Sequence, residues 1–178
     1  MTLADQLTVA RAVAVPIVVA LFAISFKGHD YWATAVFCVA MATDWFDGRI
    51  ARASGRTSSF GSLLDPVADK LLVLATLVVL LDQHVFRAWM VAAIVARELL
   101  VSGLRLAALE RGVVIPARDL AKLKTWSQAV AAAVGGLAAA GVWSHDVALW
   151  AIGVALALTW ISGLDYARSA PRVLRASS

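Results

Sequence analysis

Val147 to Leu164 runs for eighteen residues, and Thr125 to Trp143 for nineteen, without one charged side chain. A hydrocarbon core about 30 Å thick is crossed by about 20 residues of helix, so both windows predict transmembrane helices. Leu7 to Phe26 predicts a third. Arg11 and Pro16 interrupt it, and neighbouring helices can re-satisfy the backbone groups that a proline frees. It lacks the basic start and small-x-small cleavage site of a secretory signal, and the chain beyond it stays apolar. Three further windows carry charges. Together they predict an all-α integral membrane protein, a single domain over 1–178, with spans near 7–26, 31–53, 62–81, 88–109, 123–143 and 147–166. Short loops make neighbouring helices antiparallel.

Composition narrows the alternatives. Apolar residues are 61% and charged residues 16% of the chain, against roughly 45–50% and about 25% in soluble domains. That excludes a water-soluble domain and intrinsic disorder. One cysteine, Cys38, excludes a disulfide framework and a cysteine-rich zinc site, and is expected to be a packing residue. With six spans, Lys27 and Arg87 share one side. Arg11, Arg49, Arg52, Arg56, Arg105, Arg111, Arg118, Lys122, Lys124, Arg168, Arg172 and Arg175 share the other. The positive-inside rule puts that second side, and both termini, in the cytoplasm. The net charge of +4 then reflects topology and attraction to anionic lipids, not nucleic acid. Trp32, Trp89, Trp143 and Trp150 fall near the predicted outer ends, where indole suits the interface. His29, His84 and His145 fall there too, and none is expected to be a ligand.

Chemistry concentrates between the second and third spans. Asp44 and Asp47 are three residues apart, and Asp65 and Asp69 four apart, so each pair shares a helix face. Carboxylates in spans are expensive unless paired or metal-bound. Four together repel one another unless divalent cations neutralise them, and hard oxygen donors favour Mg2+ or Mn2+. Gly48 leaves backbone open to a ligand, Gly61 can do the same or turn the chain, and Ala51 keeps the face narrow. Pro66 suits the first turn of the third span. With Arg52 alongside, two metals under a shallow pocket fit phosphate chemistry. Two blander readings stay open: pairing of Asp47 with Arg52 or Asp69 with Lys70, and a divalent-cation site in a non-enzymatic or transporting protein.

Positions 44 to 69 read D-x2-D-G-x2-A-R-x8-G-x3-D-x3-D, which resembles the signature of the CDP-alcohol phosphatidyltransferase family without departure. Leu7-Thr8-x2-Arg11-x4-Pro16 is also of the kind these enzymes carry. The resemblance implies a six-helix membrane bundle with a cytoplasmic site, commonly homodimeric. The implied reaction moves a phosphatidyl group from CDP-diacylglycerol to an alcohol and releases CMP. By similarity, two divalent ions sit on Asp44, Asp47, Asp65 and Asp69, with Gly48, Ala51, Arg52 and Gly61 around the CDP-diacylglycerol. Asp69 is the expected catalytic base.

Two later stretches bear on the acceptor: Arg97-Glu98-x3-Ser102-Gly103-Leu104-Arg105 and Lys122-Leu-Lys124-Thr125-x2-Gln128. Both resemble the members of that family whose acceptor is sn-glycerol 3-phosphate, and imply that its phosphate is held by some of Arg97, Arg105, Lys122 and Lys124. A dianion at headgroup level needs such a cationic wall, and arginine offers bidentate geometry. The plainer alternatives are that Arg97 pairs with Glu98 or an aspartate, and that the lysines anchor the helix at the interface. Inositol phosphate or phosphatidylglycerol would serve sibling enzymes as acceptor. Ala132, Gly136 and Ala140 form a small-residue stripe that permits close packing within a subunit or between two.

Overall fold

The structure, a computed structural model, describes the backbone of residues 3–54, 59–110 and 119–176, with side chains at 12–43, 70–108 and 123–166. Among the described residues it is all helix: α1 (Leu3–Ala23), α2 (His29–Ser54), α3 (Ser59–Asp82), α4 (Ala88–Glu110), α5 (Asp119–Ala139) and α6 (His145–Ala176). The shortest have 21 residues, about 31 Å at 1.5 Å per residue. Each predicted window falls on one helix, with shifted ends. By length and composition, His145–Tyr166 is the one described stretch apolar enough to cross a membrane; Ala12–Ala23 is a shorter apolar stretch.

The end shifts have local causes. α5 stops at Ala139 rather than near 143 because Gly141, at φ 72°, takes the left-handed conformation. Its N–H bonds Ala138 O, and Val142 N–H bonds Leu137 O, the paired closure that satisfies orphan carbonyls at a helix end. α3 closes the same way at His84 (φ 60°), with His84 N–H on Leu81 O and Val85 N–H on Leu80 O. At its other end α3 begins at Ser59. Pro66 is therefore beyond the first turn, and Gly61 is a helical residue, not a turn. Pro16 lies inside α1 without ending it.

α1 packs against α2 and α3, α5 against α6, α2 and α3, and α4 against α6 and α3. Phe37, Leu72, Leu77, Leu80, Ile94 and Ile152 fill the centre. Lipid tails are as apolar as these side chains, so helices in a bilayer associate through close fit. Two glycines of α5 supply it. A Cβ on Gly136 would collide with Thr34 Oγ1 of α2, and one on Gly135 would sit 2.5 Å from Phe86 and 2.9 Å from Leu80. Gly136 and the buried Ala132 therefore use their stripe inside one chain.

Gln83 ties one end of the bundle together. Its Nε2 donates to Phe22 O at 3.3 Å and to Asp30 Oδ1 at 2.8 Å, joining the ends of α3, α1 and α2. Trp32, Trp89, Trp143 and Trp150 are all exposed at this end. Around the bundle, Val39, Leu99, Leu100, Leu106, Val130 and Val154 are more than half exposed, so large apolar side chains face outward on α2, α4, α5 and α6. Cys38 is exposed on α2, correcting its expected place in the packing.

Candidate active site

Asp44, Asp47, Gly48, Ala51 and Arg52 lie on the last turns of α2, and Gly61, Asp65 and Asp69 on the first turns of α3. Helical backbone at both places gives the three- and four-residue spacings their shared faces. The side chains of all eight, and of Lys122 at the start of α5, lie outside the described residues. Among the described residues no group of three or more His, Cys, Asp or Glu could hold a metal ion. The aspartates remain a suitable donor set for one, being all-oxygen and anionic on two consecutive helices.

The described residues hold a buried polar cluster between α3, α4, α5 and α6. Glu98 Oε1 accepts from Lys124 Nζ at 2.5 Å, from Arg97 Nη1 at 3.0 Å and from Gln128 Nε2 at 3.3 Å. Gln128 Nε2 also donates to Thr159 Oγ1 at 2.8 Å, and Arg97 Nη2 to Ser162 Oγ at 2.7 Å. Ser162 Oγ donates in turn to Thr159 O at 3.1 Å. Lys70, the residue after Asp69, reaches from α3 to donate to Ser102 Oγ at 2.7 Å, with Glu98 Oε2 at 3.8 Å.

Burial makes this arrangement consequential. Glu98 is 2% exposed, Arg97 4%, Lys124 6% and Gln128 5%. Removing one partner of a buried ion pair typically costs 3–5 kcal/mol, because the other charge is left uncompensated. The cluster is thus an all-or-none unit. Arg97 has room because α6 carries glycine opposite it: a Cβ on Gly163 would lie 2.9 Å from Arg97 Nε. Arg105 is half-buried, its guanidinium carbon 6.0 Å from the ring centroid of Tyr166, within cation–π range.

Of the four cations expected at the acceptor phosphate, Arg97 and Lys124 are brought together, on Glu98. Arg105 stands two turns along α4 from Glu98. Glu98, Lys70, Thr159 and Ser162 were not among the expected site residues, although a signal existed. Glu98, Ser102 and Arg105 are spaced i, i+4, i+7, Lys124 and Gln128 i, i+4, and Thr159 and Ser162 i, i+3. Each is a polar stripe on an otherwise apolar helix, which belongs inside a bundle.

A model of the CDP-alcohol phosphatidyltransferase family matches residues 1–161. A protein of Mycobacterium tuberculosis named "Probable phosphatidylglycerophosphate synthase" is 40% identical over 175 residues, 96% of this chain and 82% of its own. The Escherichia coli protein named CDP-diacylglycerol–glycerol-3-phosphate 3-phosphatidyltransferase is 36% identical over 92% of both chains. A Bacillus subtilis protein of the same name is 47% identical over 96 residues, which span 54% of this chain and half of that protein. The family match extends over nine-tenths of the sequence and takes in both aspartate pairs and the Glu98 cluster apart from Ser162. The chain belongs to the CDP-alcohol phosphatidyltransferase family.

Proposed function

We propose that this chain transfers the phosphatidyl group of CDP-diacylglycerol to sn-glycerol 3-phosphate, giving phosphatidylglycerophosphate and CMP. The observation that carries this reading is identity of 36–40% over more than nine-tenths of the chain with proteins named for that synthesis. The acceptor hydroxyl oxygen attacks the lipid-linked phosphorus, the pyrophosphate P–O bond breaks, and CMP leaves with the bond's electron pair.

Asp69 takes the proton of the acceptor hydroxyl. Asp44, Asp47, Asp65 and Asp69 are the residues that would hold two divalent cations, Mg2+ or Mn2+. When bound, such ions neutralise the carboxylates and the pyrophosphate and stabilise the departing CMP oxyanion. Gly48, Ala51, Arg52 and Gly61 shape the CDP-diacylglycerol site, where Gly48 and Gly61 permit close approach and Arg52 pairs with phosphate. Arg105 and Lys122 meet the phosphate of glycerol 3-phosphate. Arg97 and Lys124, held on Glu98, add a fixed positive field. Holding both substrates in line for displacement supplies most of what such a site contributes.

The protein works as a single membrane domain of six spans, with both termini and the site at the cytoplasmic face of a bacterial-type plasma membrane, and as a homodimer. The exposed apolar exterior supports the membrane reading, and the two-against-twelve division of cations supports the orientation. The test is CMP release by purified protein in detergent with CDP-diacylglycerol and Mg2+, offering glycerol 3-phosphate, inositol phosphate, serine and phosphatidylglycerol in turn. Release with glycerol 3-phosphate alone is expected. Release with another acceptor assigns a sibling transferase, and no release with any removes the enzymatic reading.

A further inference from the structure

Glu98 has no part in the chemistry above, yet it joins cations from three helices. We infer that Glu98 is the positioning residue of the acceptor site: its carboxylate fixes where the cations of α3, α4 and α5 stand before the acceptor phosphate arrives. This rests on the proposed transferase reading.

Three observations support it. Its two oxygens are divided between helices: Oε1 takes Lys124 and Gln128 of α5 together with Arg97, while Oε2 faces Lys70 of α3. Lys70 follows Asp69 directly, so the same carboxylate links the acidic helix to the acceptor wall. The cations are also held from outside Glu98. Ser102 accepts from Lys70, Ser162 accepts from Arg97, and the absence of a side chain at Gly163 lets Arg97 lie flat against α6. With Arg97, Gln128 and Lys70 each held by Glu98 and by a second partner, the buried network has little freedom left to reorganise when charge arrives. Finally, Glu98, Ser102 and Arg105 are spaced i, i+4, i+7 along α4, one helix face that runs from the cluster to a cation assigned to the acceptor phosphate.

The experiment compares wild type with Glu98→Gln and Glu98→Asp. Glu98→Gln keeps an oxygen acceptor but loses the charge and presents an amide to Lys70. Glu98→Asp keeps the charge, the safer choice for folding, but withdraws it by one methylene. KM is measured for each substrate in detergent, with glycerol 3-phosphate binding followed by calorimetry without CDP-diacylglycerol. The positioning role expects about a tenfold weaker KM and binding of glycerol 3-phosphate in Glu98→Gln and about threefold in Glu98→Asp, with KM for CDP-diacylglycerol within about twofold. A merely structural role would lower the active fraction and leave both KM values alone, and that result overturns the proposal. A tighter KM for glycerol 3-phosphate also overturns it, since Glu98 would then act only as a repelling charge. Should Glu98→Gln fail to fold, folded Glu98→Asp with wild-type KM values is sufficient to reject the role. If the wild type uses another phosphorylated acceptor, the acceptor assignment fails and the same comparison is read with that acceptor. If the wild type neither binds glycerol 3-phosphate nor turns over with any acceptor, both readings fall.

Discussion

Gly163 and Arg97 sit so close that a Cβ on Gly163 would lie 2.9 Å from Nε and 3.5 Å from Cγ of the arginine. Arg97 cannot yield easily, because Glu98 holds one end of its guanidinium and Ser162 the other. Gly163→Ala is therefore expected to destabilise the fold by about 1–3 kcal/mol, the usual cost of overpacking. The melting temperature in detergent checks this. An unchanged melt would mean that Arg97 can move aside at no cost.

The α2–α5 contact supplies a matched pair of substitutions. Gly136→Ala forces a methyl into Thr34 and is expected to cost about 1–3 kcal/mol. Gly103 on α4 has nothing within 4 Å of an added Cβ, so Gly103→Ala should be neutral or stabilising by up to about 1 kcal/mol, as alanine is the better helix former. Thermal melts of the two variants should move in opposite directions or differ clearly. Equal shifts would contradict the close α2–α5 approach.

Gln83 gives a stability prediction away from the chemistry. Gln83→Ala removes hydrogen bonds to Phe22 O and Asp30, each worth about 0.5–1.5 kcal/mol. Stability should fall while both KM values stay within about twofold. A changed KM for either substrate would show that this end of the bundle is coupled to the site.

Asp69→Asn should lower kcat by at least about a thousandfold, because the amide can neither take the acceptor's proton nor replace a carboxylate. The melt should be preserved. Chelation of the wild type should abolish CMP release, and Mg2+ or Mn2+ should restore it. Normal turnover by Asp69→Asn would remove the assigned base, and chelator-resistant release would remove the metals.

Arg105→Ala should raise KM for glycerol 3-phosphate about tenfold or more while changing KM for CDP-diacylglycerol by less than about twofold. Equal changes in the two would place Arg105 outside the acceptor site. Its partly exposed position beside Tyr166 makes folding failure a poor explanation of either result.

Each apolar window of the sequence became one helix because apolar run length and local backbone preference are properties of neighbours along the chain. The same holds for the family signature, whose fixed three- and four-residue spacings are meaningful only on a helix. What was not legible was rotation about each helix axis. Arg97 and Lys124 read equally well as phosphate ligands, as a neutral pair or as interface anchors. Their partner Glu98 is a chain neighbour of Arg97 but lies twenty-six residues from Lys124. Cys38 read as packing, yet faces outward, for the same reason.

By itself, then, the amino-acid sequence determined the helical segments, the acidic and basic residue sets and the family. Those rest on short-range periodicity, on the cost of charge in apolar surroundings and on fixed spacing. Only the tertiary structure decided which polar stripes meet. Glu98 could choose Lys124, Gln128 and Lys70 only once α3, α5 and α6 were packed around α4's polar face, and Gly136 could choose Thr34 only once α5 lay against α2. Partner choice of this kind is a long-range property. The energy that fixes it, pairing of buried charge and close fit of backbones, exists only after the helices have come together.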